Sequence, residues 1–112
     1  MARDLAYFAD MLDAARLAIS YVQNEDRASF LSDIQCQDSV IRRLEIIGEA
    51  ARRVSDHTRA AHPEIPWKAM ISMRNQMIHE YDGVDLEVVW NTVQKDPPGL
   101  IVLLDKLVPP II

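Results

Sequence analysis

Cysteine occurs once in this chain of 112 residues, at position 36. One thiol cannot build an internal disulfide framework, and its isolation fits a reducing cytosol. Glycine is scarce at 3 residues, while apolar residues make up 49%. That balance disfavours an all-β chain with its many turns and favours helices packed on one another. No apolar run approaches the roughly 20 residues of a membrane span, and no signal-like apolar stretch follows Met1. Positive charge is also in deficit, with 12 Lys and Arg against 17 Asp and Glu, a net charge of −5. An acidic total argues against a protein that coats nucleic acid generally, though a local basic site on an acidic body stays open. We expect a soluble, cytoplasmic, single-domain protein over residues 1–112, able to bury about two-thirds of its unfolded surface.

What is present is helical periodicity. From Asp4 to Gln23, Leu5, Phe8, Ala9, Leu12, Ala15, Ile19 and Val22 recur at three- and four-residue steps, with Asp4, Asp10, Asp13 and Arg16 left for the wet side. Asn24-Glu25-Asp26 marks a turn, and Asp26 or Ser29 is placed to cap the next helix. A second apolar stripe (Phe30, Ile34, Ile41, Leu44, Ile47, Ala51, Val54) predicts one long helix over about Arg27 to Val54. At 1.5 Å per residue it would reach roughly 40 Å and overhang its neighbours. Gly48 inside it costs about 1 kcal/mol relative to Ala, so a close backbone approach is implied. Both features point towards packing against a second copy.

Ser55 to Ile65 reads as a connector with one short helical turn, stopped by Pro63. A helix then runs from Trp67 to Tyr81, with Pro66 suited to a first helical position and Gly83 to the left-handed residue after the last. Asp85 caps a fourth helix carrying Leu86, Val89, Trp90 and Val93. Asp96-Pro97-Pro98-Gly99 predicts a break before a short last helix, and the tail from Val108 is expected to be irregular. The fold class is all-α: an antiparallel four-helix-type bundle with an additional short C-terminal helix.

One stretch carries chemical potential. Arg74, Asn75, His79 and Tyr81 cluster at the end of the helix that starts at Trp67. Histidine transfers protons near neutral pH, and arginine offers a permanently charged fork matched to phosphate oxygens. On an ideal helix, however, Arg74 and His79 lie about 140° apart. They converge only if the helix loosens before Gly83 or if a second copy completes the site. The plainer alternative pairs Arg74 with Glu80 or another carboxylate and leaves His79 as a polar cap.

The order Arg74-Asn75-x3-His79-x-Tyr81, with Arg43-Leu44-Glu45-Ile46-Ile47-Gly48-Glu49-Ala50-Ala51 and Ile65-Pro66-Trp67 before it and Val88-Val89-Trp90 after it, resembles the HepT-like toxins of the HEPN ribonuclease superfamily. The resemblance runs from about Leu5 to Leu107. It implies a HEPN-like helical homodimer, the toxin half of a toxin–antitoxin pair, cleaving RNA, with tRNA expected, without metal or cofactor. Residue by residue, it assigns Arg74 and His79 as the catalytic pair and Asn75 as their polar support. Tyr81 matches the tyrosine that a minimal nucleotidyltransferase antitoxin, of the MntA type, modifies with AMP. The competing class is a non-catalytic nucleotide- or protein-binding module that partners such a nucleotidyltransferase.

Other candidates have plain readings beside the sharp ones. Arg42, Arg43, Arg52 and Arg53 interleave with Glu45 and Glu49 at helical steps. They form a solvated charged face or a rim that tracks RNA phosphates. His57 and His62 are expected at the surface or as caps, since zinc sites use tighter spacings and more ligands. Trp67 and Trp90 are expected to pack, and Met70, Met73 and Met77 to fill the core.

Overall fold

The computed structural model describes residues 2–79 and 83–109, and within them the side chains of residues 3–72 and 83–109. Six helices carry the fold: α1 (Ala2–Val22), α2 (Arg27–Ser32), α3 (Ile34–Arg53), α4 (Asp56–Ala61), α5 (Trp67–Met77) and α6 (Leu86–Asp105). Two short strands, β1 (Ile78–His79) and β2 (Gly83–Val84), pair antiparallel between α5 and α6. The all-α class is as expected. α1 packs on α3 and α6, and α5 lies on α3. α1 and α3 run antiparallel: Cys36 at the start of α3 donates to the Tyr21 carbonyl near the end of α1, while Ser55, just past α3, holds Asp4.

The core is the sum of the apolar stripes. Phe8, Met11, Leu12, Ala15 and Ala18 of α1 meet Val40, Leu44, Ile47 and Ala51 of α3, with Val89, Val93, Leu100 and Leu104 of α6 closing the third side. Trp67 packs near Phe8 at 6.0 Å between ring centroids, and Trp90 near Phe30 at 5.2 Å. Both tryptophans serve packing, as their spacing predicts. Leu5 is the exception on the first stripe, being 43% exposed.

The single long helix expected over Arg27–Val54 is two helices. Asp33 leaves the helical region at φ −109°, ψ 91°, and its carboxylate accepts the Cys36 N–H at 3.0 Å, capping α3. The Gln37 side-chain amide then donates to the Phe30 carbonyl at 2.9 Å, satisfying an acceptor at the end of α2 from within the protein. α3 is thereby 20 residues long, matching α1 at 21 and α6 at 20. The expected overhang disappears. Gly48 does meet a backbone, but its own chain's: a Cβ there would lie 3.0 Å from the Met70 carbonyl of α5. Neither feature therefore speaks for a second copy.

The break expected at Asp96–Gly99 is also absent. α6 passes through Pro97 and Pro98. The two prolines cannot donate to the carbonyls of Val93 and Gln94, which costs helix stability. Pro97 is fully buried alongside Val93, Leu100 and Leu104, and that burial holds the helix together. The short C-terminal helix is the second half of α6. Elsewhere the capping signals are read correctly. Asp26 and Ser29 form a reciprocal capping box on α2, and the Asp85 carboxylate accepts from the N–H groups of Glu87 and Val88.

Asp4 corrects another expectation. Instead of facing water it is buried, and its carboxylate accepts from the Ser55 N–H at 3.1 Å, the Ser55 hydroxyl at 2.8 Å and the Thr58 hydroxyl at 2.5 Å. Ser55 in turn caps α4. These hydrogen bonds, led by that from Thr58, hold the Asp4 carboxyl down at about 2. The start of α1 is thus bound to the α3–α4 corner by a buried charge.

Candidate functional site

The helix bearing the motif is fixed at its N-terminal end. Ile65 is buried, and the Trp67 indole N–H donates to the His62 carbonyl at 2.9 Å. Met70 is buried where α5 crosses Gly48 of α3. The absence of a side chain at Gly48 permits this close crossing. Helical bonding begins with Met70 N–H to the Pro66 carbonyl, so Pro66 stands immediately before the first helical residue. His62 ends α4, its backbone N–H bonded to the Arg59 carbonyl, and its ring lies edge-on to Phe8. His57 is exposed. The capping and surface roles expected of these two histidines hold.

Arg74 and Asn75 belong to the last turn of α5, which ends at Met77. The expected continuation to Tyr81 does not occur. Ile78 and His79 are extended and pair with Val84 and Gly83, respectively. Gly83 has φ 78°, so its expected left-handed conformation is real, but it sits in the ladder opposite His79 instead of ending a helix. The chain therefore leaves the helix between Arg74 and His79. The fixed helical offset of about 140° between them no longer applies. The side chains of Arg74, Asn75 and His79, and Tyr81 altogether, lie outside the described residues.

The four arginines of α3 are not equivalent. Arg42 and Arg53 line a groove of about 290 Å³ between α1 and α3, with Tyr7, Asp10, Glu45, Ile46, Glu49 and Ala50. The Glu49 carboxylate accepts from Arg52 at 2.7 Å and from Arg53 at 3.1 Å. The Arg52 bond, with help from both positive charges, lowers the Glu49 pKa below the usual carboxylate range. Arg43 is half-buried, and its Nε has no hydrogen-bond partner among the described residues. Gly48 faces α5, while Ile46 and Ala50 line the α1 groove. Arg42 and Arg53 thus lie on the α1 side of α3 and not on the side where α5 packs. A second cavity, of about 330 Å³, opens between α3, α5 and α6 over Ile47, Met70, Pro97 and Leu100. Asp96 at its edge has a raised pKa because burial disfavours its charge.

One cluster was not anticipated from spacing. Glu25, Asp33 and Cys36 bring three metal-ligating atoms within 4.8 Å of one another. Each atom set already has work in the fold: Asp33 caps Cys36, Glu25 accepts from the Ser29 hydroxyl, and Cys36 donates to the Tyr21 carbonyl. Burial, reinforced by the two carboxylates, raises the Cys36 pKa and keeps it a thiol, which is a poor ligand.

The HepT-like ribonuclease family model, described as Ribonuclease HepT-like, matches residues 11–107, which run from α1 through the motif to the end of α6. The chain belongs to this family. It is 42% identical over 101 residues to the "Probable ribonuclease HepT" of Thermococcus cleftensis, covering 90% of this chain and 92% of that protein. It is 38% identical over 95 residues to "Putative RNase MJ1380" of Methanocaldococcus jannaschii, covering 85% of this chain and 87% of that one. No solved structure gives a significant match. The family is one of ribonucleases, which makes RNA cleavage the reaction class to be accounted for. No helix among the described residues is long and apolar enough to cross a membrane.

The buried Asp4–Ser55–Thr58 corner and the α1–α3 groove escaped the sequence reading. Asp4 precedes Ser55 by 51 residues, and no local pattern marks a charged residue as buried. Tyr7 and Asp10 join the α3 charges only because α1 and α3 are antiparallel neighbours.

Proposed function

We propose that this HepT-like protein is a metal-independent endoribonuclease, the toxin of a toxin–antitoxin pair, acting in the cytoplasm on RNA with tRNA as substrate. The observation that carries the proposal is the end of α5 at Met77, which separates His79 from the helical register of Arg74. A general base removes the proton of a ribose 2′-hydroxyl, and the 2′-oxygen attacks the adjacent phosphorus. The bond to the 5′-oxygen breaks, a general acid protonates that oxygen, and a 2′,3′-cyclic phosphate and a 5′-hydroxyl remain. Arg74 stabilises the added negative charge on the phosphorane through its guanidinium, and Asn75 supports the phosphate or the imidazole. His79 serves proton transfer. A two-fold homodimer supplies two such histidines to one cleft, one as base and one as acid. Of the four arginines expected to rim the cleft, Arg42 and Arg53 lie on the α1 side of α3, away from α5, which leaves Arg43 and Arg52 as the candidate rim for RNA phosphates on a chain of net charge −5.

A nucleotidyltransferase antitoxin silences the site by attaching AMP to Tyr81. The phenolic oxygen attacks the α-phosphorus of ATP, pyrophosphate leaves, and bulk and negative charge enter two residues beyond His79. The deciding experiment treats purified tRNA with the unmodified protein in excess EDTA, alongside His79→Ala. Cleavage by the wild type alone supports the proposal. Cleavage by both at the same rate removes His79 from the chemistry. The acidic total favours one rival, a non-catalytic module that docks to the nucleotidyltransferase. Failure of both proteins to cleave, with Tyr81 unmodified by mass, favours that rival.

A further inference from the structure

The exposed face of α3 carries a charge order that fits its own inverse. Asp38, Arg42, Glu45, Ile46, Glu49 and Arg53 fall within about 100° of arc on the helix at 100° per residue. Buried Val40, Leu44, Ile47 and Ala51 occupy other angles. Asp38 and Arg42 are exposed, and neither makes an ion pair among the described residues. Set this face against a second copy running antiparallel, with a two-fold axis between Glu45 and Ile46. Asp38 then stands opposite the partner's Arg53, and Arg42 opposite the partner's Glu49, and the symmetry repeats both pairs. A displacement of one helical turn in one direction sets Asp38 against Glu49, which offsets the attraction gained between Arg42 and Glu45. One turn in the other direction sets Arg42 against Arg53. The charge order therefore selects one register.

We infer that this face of α3 is the docking surface for a second copy of the chain, in that antiparallel register. Half-buried Ile46 lies beside the axis and supplies apolar contact, with Tyr7 of α1 flanking it across the groove. Exposed ion pairs add little affinity but penalise wrong registers, so the charges set alignment more than strength. Glu49 keeps its bond to Arg52 while it gains Arg42, and Arg53 turns from Glu49 to the partner's Asp38.

The arrangement has a consequence for the site. α5 lies on one flank of α3, at Gly48, and α1 on the other, at Ile46 and Ala50. A two-fold axis perpendicular to the paired helices, in the plane between them, keeps like flanks together. Both α5 helices then border one side of the dimer and both α1 helices the other, which sets the two motif-bearing helices on the same side of the interface. This inference rests on the homodimeric ribonuclease reading and names its interface.

The test is a charge exchange read by sedimentation equilibrium at physiological salt, with circular dichroism confirming that each variant is folded. Asp38→Arg and Arg53→Asp each weaken the dimer roughly tenfold or more, and the double variant returns it to within about threefold of wild type. In a Cys36→Ala background, Ile46→Cys is joined to its copy by a short bismaleimide, whereas Val102→Cys on exposed α6 is not. A wild type that stays monomeric at tens of micromolar overturns both this interface and the composite site. A dimer that ignores both single reversals and gives no Ile46→Cys crosslink overturns the α3 interface alone and leaves a homodimer formed elsewhere.

Discussion

Two charged regions of this molecule use the same physical chemistry to opposite ends. At the α1–α4 corner, Asp4 is enclosed by Ser55 and Thr58, and every hydrogen bond it accepts comes from within the protein. A carboxylate so satisfied is fixed in place and held ionised, which makes it a strut. At the end of α5, Arg74, Asn75 and His79 stand where regular helix gives way to two extended residues. Helix interiors leave their side chains in a fixed order. A helix end releases the chain to reorder them. The corner shows how a charge is used up by folding, whereas the role proposed for the motif needs its polar groups to stay available for a substrate.

The comparison can be broken first at the motif. Arg74→Ala and His79→Ala each lower tRNA cleavage by about 10³-fold, the range of a lost acid, base or phosphate-binding group, with the urea unfolding midpoint unchanged. A variant that unfolds at lower urea would place its residue with the strut instead. Next is Gly48→Val, where the Met70 carbonyl stands 3.0 Å from the new Cβ. Overpacking at this crossing costs about 3 kcal/mol in denaturant unfolding. Gly48→Ala costs less, because a gain in helix propensity of about 1 kcal/mol offsets part of the clash.

Asp4→Ala leaves the Ser55 and Thr58 donors without their acceptor and costs about 2 kcal/mol at pH 7. Its pH dependence is directional. The folded-state pKa is lowered from 3.8 to about 2, so its stabilisation is full above pH 4 and is lost as pH falls towards 2. Unfolding free energies across that window should fall more steeply for wild type than for Asp4→Asn. Equal slopes would show that the corner is not the acid-sensitive element. The smallest effect belongs to Asp33→Ala, which removes the α3 cap for about 1 kcal/mol, measured by thermal or urea melts.

Much of the architecture was legible along the chain. The apolar stripes located the core, and Asp26 and Asp85 marked helix starts by a short-range rule in which a side-chain oxygen meets a nearby N–H. Two of the misread boundaries fail in opposite senses and for different reasons. At Asp33 a helix stops without proline or glycine, because the Asp33 cap and the Gln37–Phe30 bond outcompete one more turn. At Pro97-Pro98 a helix persists, because the buried apolar stripe of α6 offsets two missing donors. At the prolines burial overrides local propensity, whereas at Asp33 one local preference overrides another.

The motif divides the same way. Arg74, Asn75, His79 and Tyr81 were visible as residue types in a particular order, and that order with its flanks led to the family. The departure from helix after Met77 was not visible, since Gly83 suits a helix end and a turn equally well. The sequence by itself determined the all-α class, the core stripes, the caps at Asp26 and Asp85 and the family, because each depends on residues within a turn or two of one another or on their order. Tertiary structure alone decided that Asp4 is buried, that Gly48 admits the α5 backbone, that α6 runs through two prolines and that His79 leaves the helix. Each of those depends on what a distant segment places alongside, and distance in space is the quantity a linear order does not carry.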